Sequence, residues 1–376
     1  MKLLIHHHTL AYQSEDALYV QSFIGAWVDA LAKHVDQIGL LLHETDEQIE
    51  KLDYAIGHQH VVLESLGPNH GVSNRRERLN FVKEKCRNMK GYTHLIVRGM
   101  TPRQKLVMDH VKTEGKFFFL VGSLYENKVQ IKTKNDLYLN FMRRWRLWEL
   151  RKISKKARLL ANSPVLVEEI AKMYRVQAVF IPTNTISKND FHWKGLSERN
   201  TYQLLFVGRV EKAKGIEELI RALALLDTDY KWHLNIVGPC TKSYQDYLIS
   251  LAKAKSEQVT FKGFIPFGPD LFAEYDASDI YILPSYHEGF PHSIWEAGCR
   301  SIPVIATKVG GIPGIVTDDM ITFVRKESEQ EIKLKVEELL ITDREQMENR
   351  RRSLWEKTQD MTVESATEML LKQIGE

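Results

Sequence analysis

At 376 residues the chain is long enough for two domains, each with its own hydrophobic core. Its 43% hydrophobic and 27% charged residues are ordinary for a folded globular protein, and 52 Lys plus Arg against 49 Asp plus Glu set up no global field for nucleic acid. Cys86, Cys240 and Cys299, odd in number and far apart, exclude a disulfide framework and fit a reducing cytoplasm, and no apolar run of about 18 residues is present to span a membrane.

The opening MKLLIHHHTL reads as a first strand over Lys2–Ile5, its apolar run being too short for a signal peptide. His6, His7 and His8 are then expected at the carboxyl end of that strand. They are either core and loop histidines or contacts to a substrate. A first helix is expected over Leu18–Lys33. Further strands follow at Ile38–Leu42, His60–Leu63, His94–Val97 and Lys116–Val121, with helical patterns at Asn80–Met89 and Thr101–Val111 between them. This alternation predicts a doubly wound parallel sheet.

Residues 141–158 hold eight basic side chains from Arg143 to Arg158 against Glu149 alone, with Trp145 and Trp148 interleaved. Two readings lead, a helix lying on an anionic membrane surface or a domain helix burying Leu147, Leu150 and Trp148 with its basic face solvated; single-stranded nucleic acid also uses basic and aromatic residues together, but nothing else in the sequence supports it. Arg158–Ala161 closes the first domain's sheet, and Asn162-Ser163-Pro164 caps the next helix. After a strand at Ala178–Ile181 the chain turns polar and aperiodic, as a linker between domains would.

The second domain opens on a strand, Gln203–Val207, followed by Gly208-Arg209 and Lys214-Gly215 ahead of an amphipathic helix with Ile216, Leu219, Ile220 and Leu223 at helical spacing. The pattern places a guanidinium and an ammonium at a strand's carboxyl end, where open α/β sheets bind ligands. It lacks the G-x4-GK-[ST] of a phosphate-binding Walker loop. Strands at Trp232–Val237 and Val259–Lys262 also end on glycines, Gly238 and Gly263, which let backbone approach a ligand closely. Asp227-Thr228-Asp229 joins a helix to a strand at the other end of the sheet and reads as a turn, not a metal site.

Residues 278–316 carry the densest signal. A strand (Asp279–Leu283) runs through Pro284-Ser285 into Glu288-Gly289-Phe290-Pro291, then a helix holding Glu296 about two turns in, then a strand (Pro303–Ala306) and Gly310-Gly311-Ile312-Pro313. The amides of Phe290, His292 and Ser293 fall near the helix N-terminus, where unpaired N–H groups and the helix dipole attract phosphate. Glu288 and Glu296 add acceptors for sugar hydroxyls. Helical patterns follow at Gln330–Leu340, Glu345–Lys357 and Val363–Ile374.

Glu288-Gly289-Phe290-Pro291, Glu296-Ala297, Pro303-Val304-Ile305-Ala306-Thr307 and Gly310-Gly311-Ile312-Pro313, continued upstream to about residue 155, resemble the retaining GT-B glycosyltransferases of the glycosyl transferase group 1 (GT4) family. The resemblance implies an α/β chain of two doubly wound Rossmann-like domains facing across a cleft. Residues 1–184 would form an acceptor-binding domain, 185–200 a linker, 201–358 a nucleotide-sugar-binding domain, and 359–376 a helix returning to the first domain. It assigns the diphosphate to Arg209 and Lys214 and the base to the neighbourhood of Phe264 and Ile265; Glu296 is expected to accept the ribose hydroxyls, Glu288 to sit nearer the donor sugar, and Gly208 and Gly238 to belong to the same nucleotide-sugar site. Gly289, Phe290, Pro291, His292 and Ser293 complete the donor site, with Arg209, Lys214 and Glu288 in catalytic roles.

The implied reaction is metal-independent transfer from a UDP- or GDP-linked sugar to a hydroxyl on a glycan or lipid-linked acceptor, in the cytoplasm or on the inner face of the membrane. Surface polysaccharide or glycolipid assembly is the implied setting. No cofactor is implied, and no nucleic acid. The chain departs from the family at several places. Ser22 and Phe23 stand where a Gly-Gly pair is common, Arg98-Gly99-Met100 and Gly122-Ser123-Leu124 carry no histidine, Ser301 replaces a glycine, and Gly314 a glutamate. The missing pair and histidine leave a non-catalytic nucleotide-sugar sensor or scaffold as the alternative; a phosphorylase is a third reading.

Overall fold

The computed structural model describes residues 1–68, 75–99, 102–120, 148–196, 201–226 and 231–375. The Asp-x-Asp at 227–229, Met100, residues 122–124 and the first part of the basic stretch, 141–147, lie outside them. The chain forms two compact units, Met1–Thr185 with Val363–Glu376, and Ile186–Thr362.

Unit 1 is built on parallel strands β1 (Lys2–Gln13), β3 (Gln37–Glu44), β5 (Val61–Pro68), β6 (His94–Arg98), β7 (Gly115–Leu120), β8 (Arg158–Ala161) and β9 (Ala178–Phe180) in the order 5-3-1-6-7-8-9. Such strands are buried on both faces, and their side chains alternate between them. Leu3, Ile5, Ile38, Leu40, Ile96, Phe117 and Phe119 build one layer with helix α1 (Ser22–Ala32). Leu4, Leu41, Leu95, Val97, Phe118 and Leu120 build the other. That second layer is closed by helices α2 (Arg75–Asn88), α3 (Pro102–His110) and α4 (Pro164–Tyr174). Ser163 caps α4, its Oγ accepting the Leu166 amide at 3.3 Å, with Pro164 in the first turn.

The amino end differs from the sequence expectation in two respects. β1 runs to Gln13, past the three histidines, because a register shift between His6 and Leu10 absorbs them as a bulge and the ladder to β3 resumes at Leu10–His43. His6 therefore sits within the ladder, its Nδ1 2.6 Å from the Leu41 carbonyl, and not at a strand end. The expected helix over Leu18–Lys33 starts only at Ser22. Leu18–Val20 form β2, antiparallel to the extended end of β1 and to a short β4 (Tyr54–Ala55).

Unit 2 carries a six-stranded parallel sheet: β10 (Thr201–Val207), β11 (Lys231–Val237), β12 (Val259–Gly263), β13 (Ile280–Leu283), β14 (Val304–Thr307) and β15 (Thr322–Val324), in the order 12-11-10-13-14-15. The order reverses between β10 and β13, so a crevice opens at their carboxyl ends. Helices α5 (Ile216–Ala224), α6 (Lys242–Leu251), α7 (Pro269–Ala277) and α8 (His292–Cys299) connect the strands, and α9 (Glu329–Ile341) and α10 (Arg344–Gln359) follow β15.

The stretch read as a linker, 185–200, packs on unit 2 over its described part. Phe191 and Trp193 meet Trp355 edge to face at 5.3 and 5.9 Å, and the His192 amide donates to the Cys299 carbonyl. Apolar rings, not polar turns, decide that placement. The last helix, α11 (Val363–Gly375), lies in unit 1. It buries Val363, Ala366, Leu370 and Ile374, one helical face, in the layer formed by α1.

Candidate functional site

Three strand-end glycines come together in unit 2. Gly208 and Gly238 take φ of +154° and +142°, and the Gly238 amide donates to the Gly263 carbonyl at 2.7 Å. A Cβ on Gly238 would stand 1.9 Å from the Gly208 carbonyl oxygen, so only bare backbone fits. An open hollow of about 540 Å³ lies between the loops after β10 and β11, lined by Arg209, Val210, Lys212, Pro239, Cys240 and Tyr244.

Arg209 stands at the rim, its guanidinium engaged by Glu211 at 3.1 Å in an exposed pair. Such pairs contribute about 0–1 kcal/mol, so Arg209 is readily released to a better anion. Lys214 is held differently. It closes a 3-10 turn (Lys212–Lys214) whose following residue, Gly215, has φ +67° and would carry a Cβ 2.0 Å from the Pro284 carbonyl. The turn is thereby pressed against the loop leaving β13. The Tyr286 amide also donates to the Ala213 carbonyl at 2.9 Å, and the Tyr286 hydroxyl to Glu218 at 2.7 Å.

Within this contact Lys214 Nζ meets Glu288 Oε1 at 2.7 Å, both side chains largely shielded from water. Glu288 is fixed from behind: the Gly311 amide donates to its carbonyl at 3.0 Å, and Gly310, at φ +55°, leaves the space a Cβ would fill. The Gly-Gly pair thus clamps the backbone of the loop glutamate.

Glu296 is the fifth residue of α8, one turn in and not two. Its carboxylate is buried and accepts the Tyr275 hydroxyl at 2.7 Å. Burial pushes its pKa up to about 7, partly offset by that hydrogen bond. Pro291 occupies the N-cap of α8, so the helix opens at His292-Ser293, in the turn whose amides face out of a helix. The Phe290 ring is buried against Trp295 at 5.7 Å, which leaves Gly289 and the Phe290 backbone between Glu288 and the helix start. Phe264 is exposed and Ile265 partly buried, just beyond β12.

The structure therefore brings together Gly208, Arg209, Lys214, Gly238, Glu288, Gly289, Phe290, Pro291, His292, Ser293 and Glu296 on the loops that end β10, β11 and β13, with Phe264 and Ile265 on the neighbouring loop after β12. Sequence reading missed Glu211 and Tyr275, partners of Arg209 and Glu296, because nothing local distinguishes either residue. Gly310 was visible as part of a Gly-Gly pair, but not as the clamp on Glu288. Ser301, standing where a glycine is common, adopts φ +56°, and its Oγ accepts the Lys194 amide at 2.8 Å. That hydrogen bond accompanies a left-handed backbone few residues adopt.

Of the second half of the basic stretch, residues 148–153 are helical. Leu150 and Ile153 are buried there, Trp148 is half exposed, and Lys152 Nζ sits 3.5 Å from its ring centroid. The helix thus buries Leu150, as the domain-helix reading expects, but not Trp148. Among the described residues, no helix is long and apolar enough to cross a membrane.

Two Rossmann-like units of parallel sheet, the second with a cationic turn and a glutamate loop at its switch point, make up a GT-B fold. Residues 187–357, nearly the whole of unit 2, match the family described as Glycosyl transferases group 1. A D-inositol 3-phosphate glycosyltransferase of Arthrobacter sp. (strain FB24) is 28% identical over 184 residues, 45% of this chain and 44% of its own length. The chain thus spans less than half the length of such curated relatives. Among solved structures, a sucrose-phosphate synthase from Thermosynechococcus elongatus superposes with a TM-score of 0.75 at 18% identity, over 100% of this chain and 98% of that one. Anabaena HepE, solved with UDP and glucose, does so with a TM-score of 0.71 at 16% identity, over 100% and 99%. At these identities the likeness speaks for the fold.

Proposed function

We propose that the chain transfers a sugar from a nucleoside-diphosphate sugar, UDP- or GDP-linked, to an acceptor hydroxyl with retention of anomeric configuration and without a metal. The observation that carries this reading is the Lys214–Glu288 pair, 2.7 Å across two loops at the switch point of unit 2, beside strand ends stripped to glycine. One of the three Lys214 protons is committed to Glu288; the others are left for phosphate oxygens. Arg209, turning from Glu211, and the first amides of α8 add donors. Fixed charges of this kind stabilise the negative charge that grows on the leaving diphosphate as its bond to the anomeric carbon breaks.

Glu288 shields the positive charge that develops on the sugar, and the acceptor oxygen bonds to the anomeric carbon from the face the diphosphate leaves. The acceptor proton passes to the departing phosphate oxygen. Glu296 accepts the ribose hydroxyls. Synthesis of a surface glycan or glycolipid, at the cytoplasmic face of the membrane, is the setting the family resemblance supports.

The test is release of UDP or GDP from a panel of their sugar conjugates in EDTA, comparing wild type with Glu296→Ala. Metal-independent release that the substitution abolishes is expected. Wild-type binding without turnover for every conjugate and acceptor tried would favour the sensor reading, and phosphate-dependent release of a sugar phosphate would favour phosphorolysis.

Glu296 also makes the reaction pH-dependent. Its folded pKa of about 7 lies above its ordinary 4.5, so between those values the folded chain holds a proton the unfolded chain has lost. Stability falls as pH rises through that window and levels off above it. Ribose hydroxyls favour the ionised carboxylate, so nucleotide binding is expected to strengthen up to pH of about 7 and to release a proton there. Calorimetry in two buffers of different ionisation heat measures that release, and Glu296→Gln should abolish it.

A further inference from the structure

Unit 1 has a switch point of its own. Its parallel order reverses between β1 and β6, with β3 on one side of β1 and β6 on the other, and β6 ends there on Arg98. Arg98 is 3% exposed, yet among the described residues no carboxylate pairs with it, and its Nε is sealed from solvent without a hydrogen-bond partner. Three aromatic rings wall the guanidinium, Phe23 at 5.3 Å, Trp27 at 5.8 Å and Phe119 at 5.6 Å. Burial alone pulls its pKa down to about 10, with no neighbouring anion to oppose the shift.

The residue is held in this position. The Gln104 side-chain amide donates to the Arg98 carbonyl, and the Gly99 amide donates to the Phe119 carbonyl at 2.8 Å. His7 and His8, at the bulge in β1, feel the same cation: burial and Arg98 lower both imidazoles, His7 to about 2, so both are neutral at physiological pH. Neutral imidazoles donate from one ring nitrogen and accept at the other. The Phe23 ring, which stands where the family commonly has glycine, meets His7 edge to face at 5.6 Å.

Attraction to aromatic faces is weaker than the cost of burying an unpaired charge, so this arrangement opposes folding unless something else uses the charge. We infer that Arg98, with His7 and His8 beside it, forms an oxyanion site at the carboxyl end of the unit 1 sheet, and that the acceptor presents a phosphate or carboxylate group to it. The anion supplies the counter-charge the fold lacks. Assigning that anion to the acceptor rests on the glycosyltransferase reading; the site itself does not.

The experiment is thermal unfolding of the full chain at constant ionic strength, with and without inorganic phosphate, and separately with acetate, for wild type, Arg98→Met, Arg98→Lys and Lys214→Ala. Phosphate or acetate should raise the wild-type Tm, and whichever acts more strongly names the class of anion. Arg98→Met should unfold at the same or a higher temperature than wild type in anion-free buffer, because it removes a buried unpaired charge, and should lose the anion-dependent rise. Arg98→Lys should keep part of that rise. Lys214→Ala should keep it in full, which separates this site from the diphosphate site.

The proposal is overturned if neither anion shifts the wild type or if Arg98→Met retains the shift. It is also overturned if Arg98→Met is destabilised or unfolded without anion, since the guanidinium would then be a structural element held by its rings. Failure of the nucleotide-release assay would leave these outcomes untouched, so the two readings fail separately.

Discussion

Lys214→Ala is expected to lower turnover by about 10²-fold or more, the effect of losing one preorganised donor at a centre of growing negative charge. Two features make the loss larger than that of an ordinary surface lysine. The ammonium is fixed by its 2.7 Å contact with Glu288 and by a turn that Gly215 presses against Pro284, so it needs no reorganisation as the diphosphate leaves. Its removal also strands Glu288, whose side chain is only 9% exposed, without a counter-charge. Steady-state kinetics with the active nucleotide sugar and thermal unfolding in parallel divide the two effects. Lys214→Ala combined with Glu288→Gln should recover stability while leaving turnover low. Near-normal turnover in Lys214→Ala alone would remove Lys214 from the mechanism.

Gly310→Ala is expected to be as damaging, from a residue that touches no substrate. Its φ of +55° is costly for alanine, and its Cβ would lie 1.7 Å from the Glu288 carbonyl oxygen and 3.1 Å from the Glu288 nitrogen. Those are backbone atoms and cannot rotate aside, so the whole glutamate loop must move. A displacement of about 1 Å at a reacting centre can lower the rate about 10²-fold. Gly91→Ala is the control, since Gly91 has φ +87° but nothing within 4 Å of its absent Cβ. It should show backbone strain alone, of about 1 kcal/mol, with turnover preserved. Equal losses of turnover in the two variants would mean that the Gly310 clamp does not position Glu288.

Each unit's alternation of buried strands and amphipathic helices was legible in the sequence, and so was the stretch that carries the site. A parallel strand buried on both faces must be a continuous apolar run, as Leu3-Leu4-Ile5, Phe117-Phe118-Phe119 and Ile280-Tyr281-Ile282 are. A loop that packs against backbone needs glycine at the contact, as at Gly215, Gly238 and Gly310. These are local demands, written within a few residues of where they act. The shorter elements escaped for the converse reason: β2, β4 and β15, of two or three residues, span too little chain to show a period.

Local pattern by itself determined the elements of this chain, the glycines and the cationic turn that mark its site, and the family resemblance. The tertiary structure decided the partners. Sheet order 12-11-10-13-14-15 is what brings Lys214 to Glu288, 74 residues away, and the packing of α7 against α8 is what gives Glu296 the Tyr275 hydroxyl. The same holds for α11, whose helical pattern was readable but whose burial against α1 was not, and for Arg98, an ordinary strand-end arginine until three rings from α1 and β7 close around it. Local pattern reports what a residue does to its own backbone; the shielding and the counter-charges that set its chemistry come from residues the sheet order carries to it.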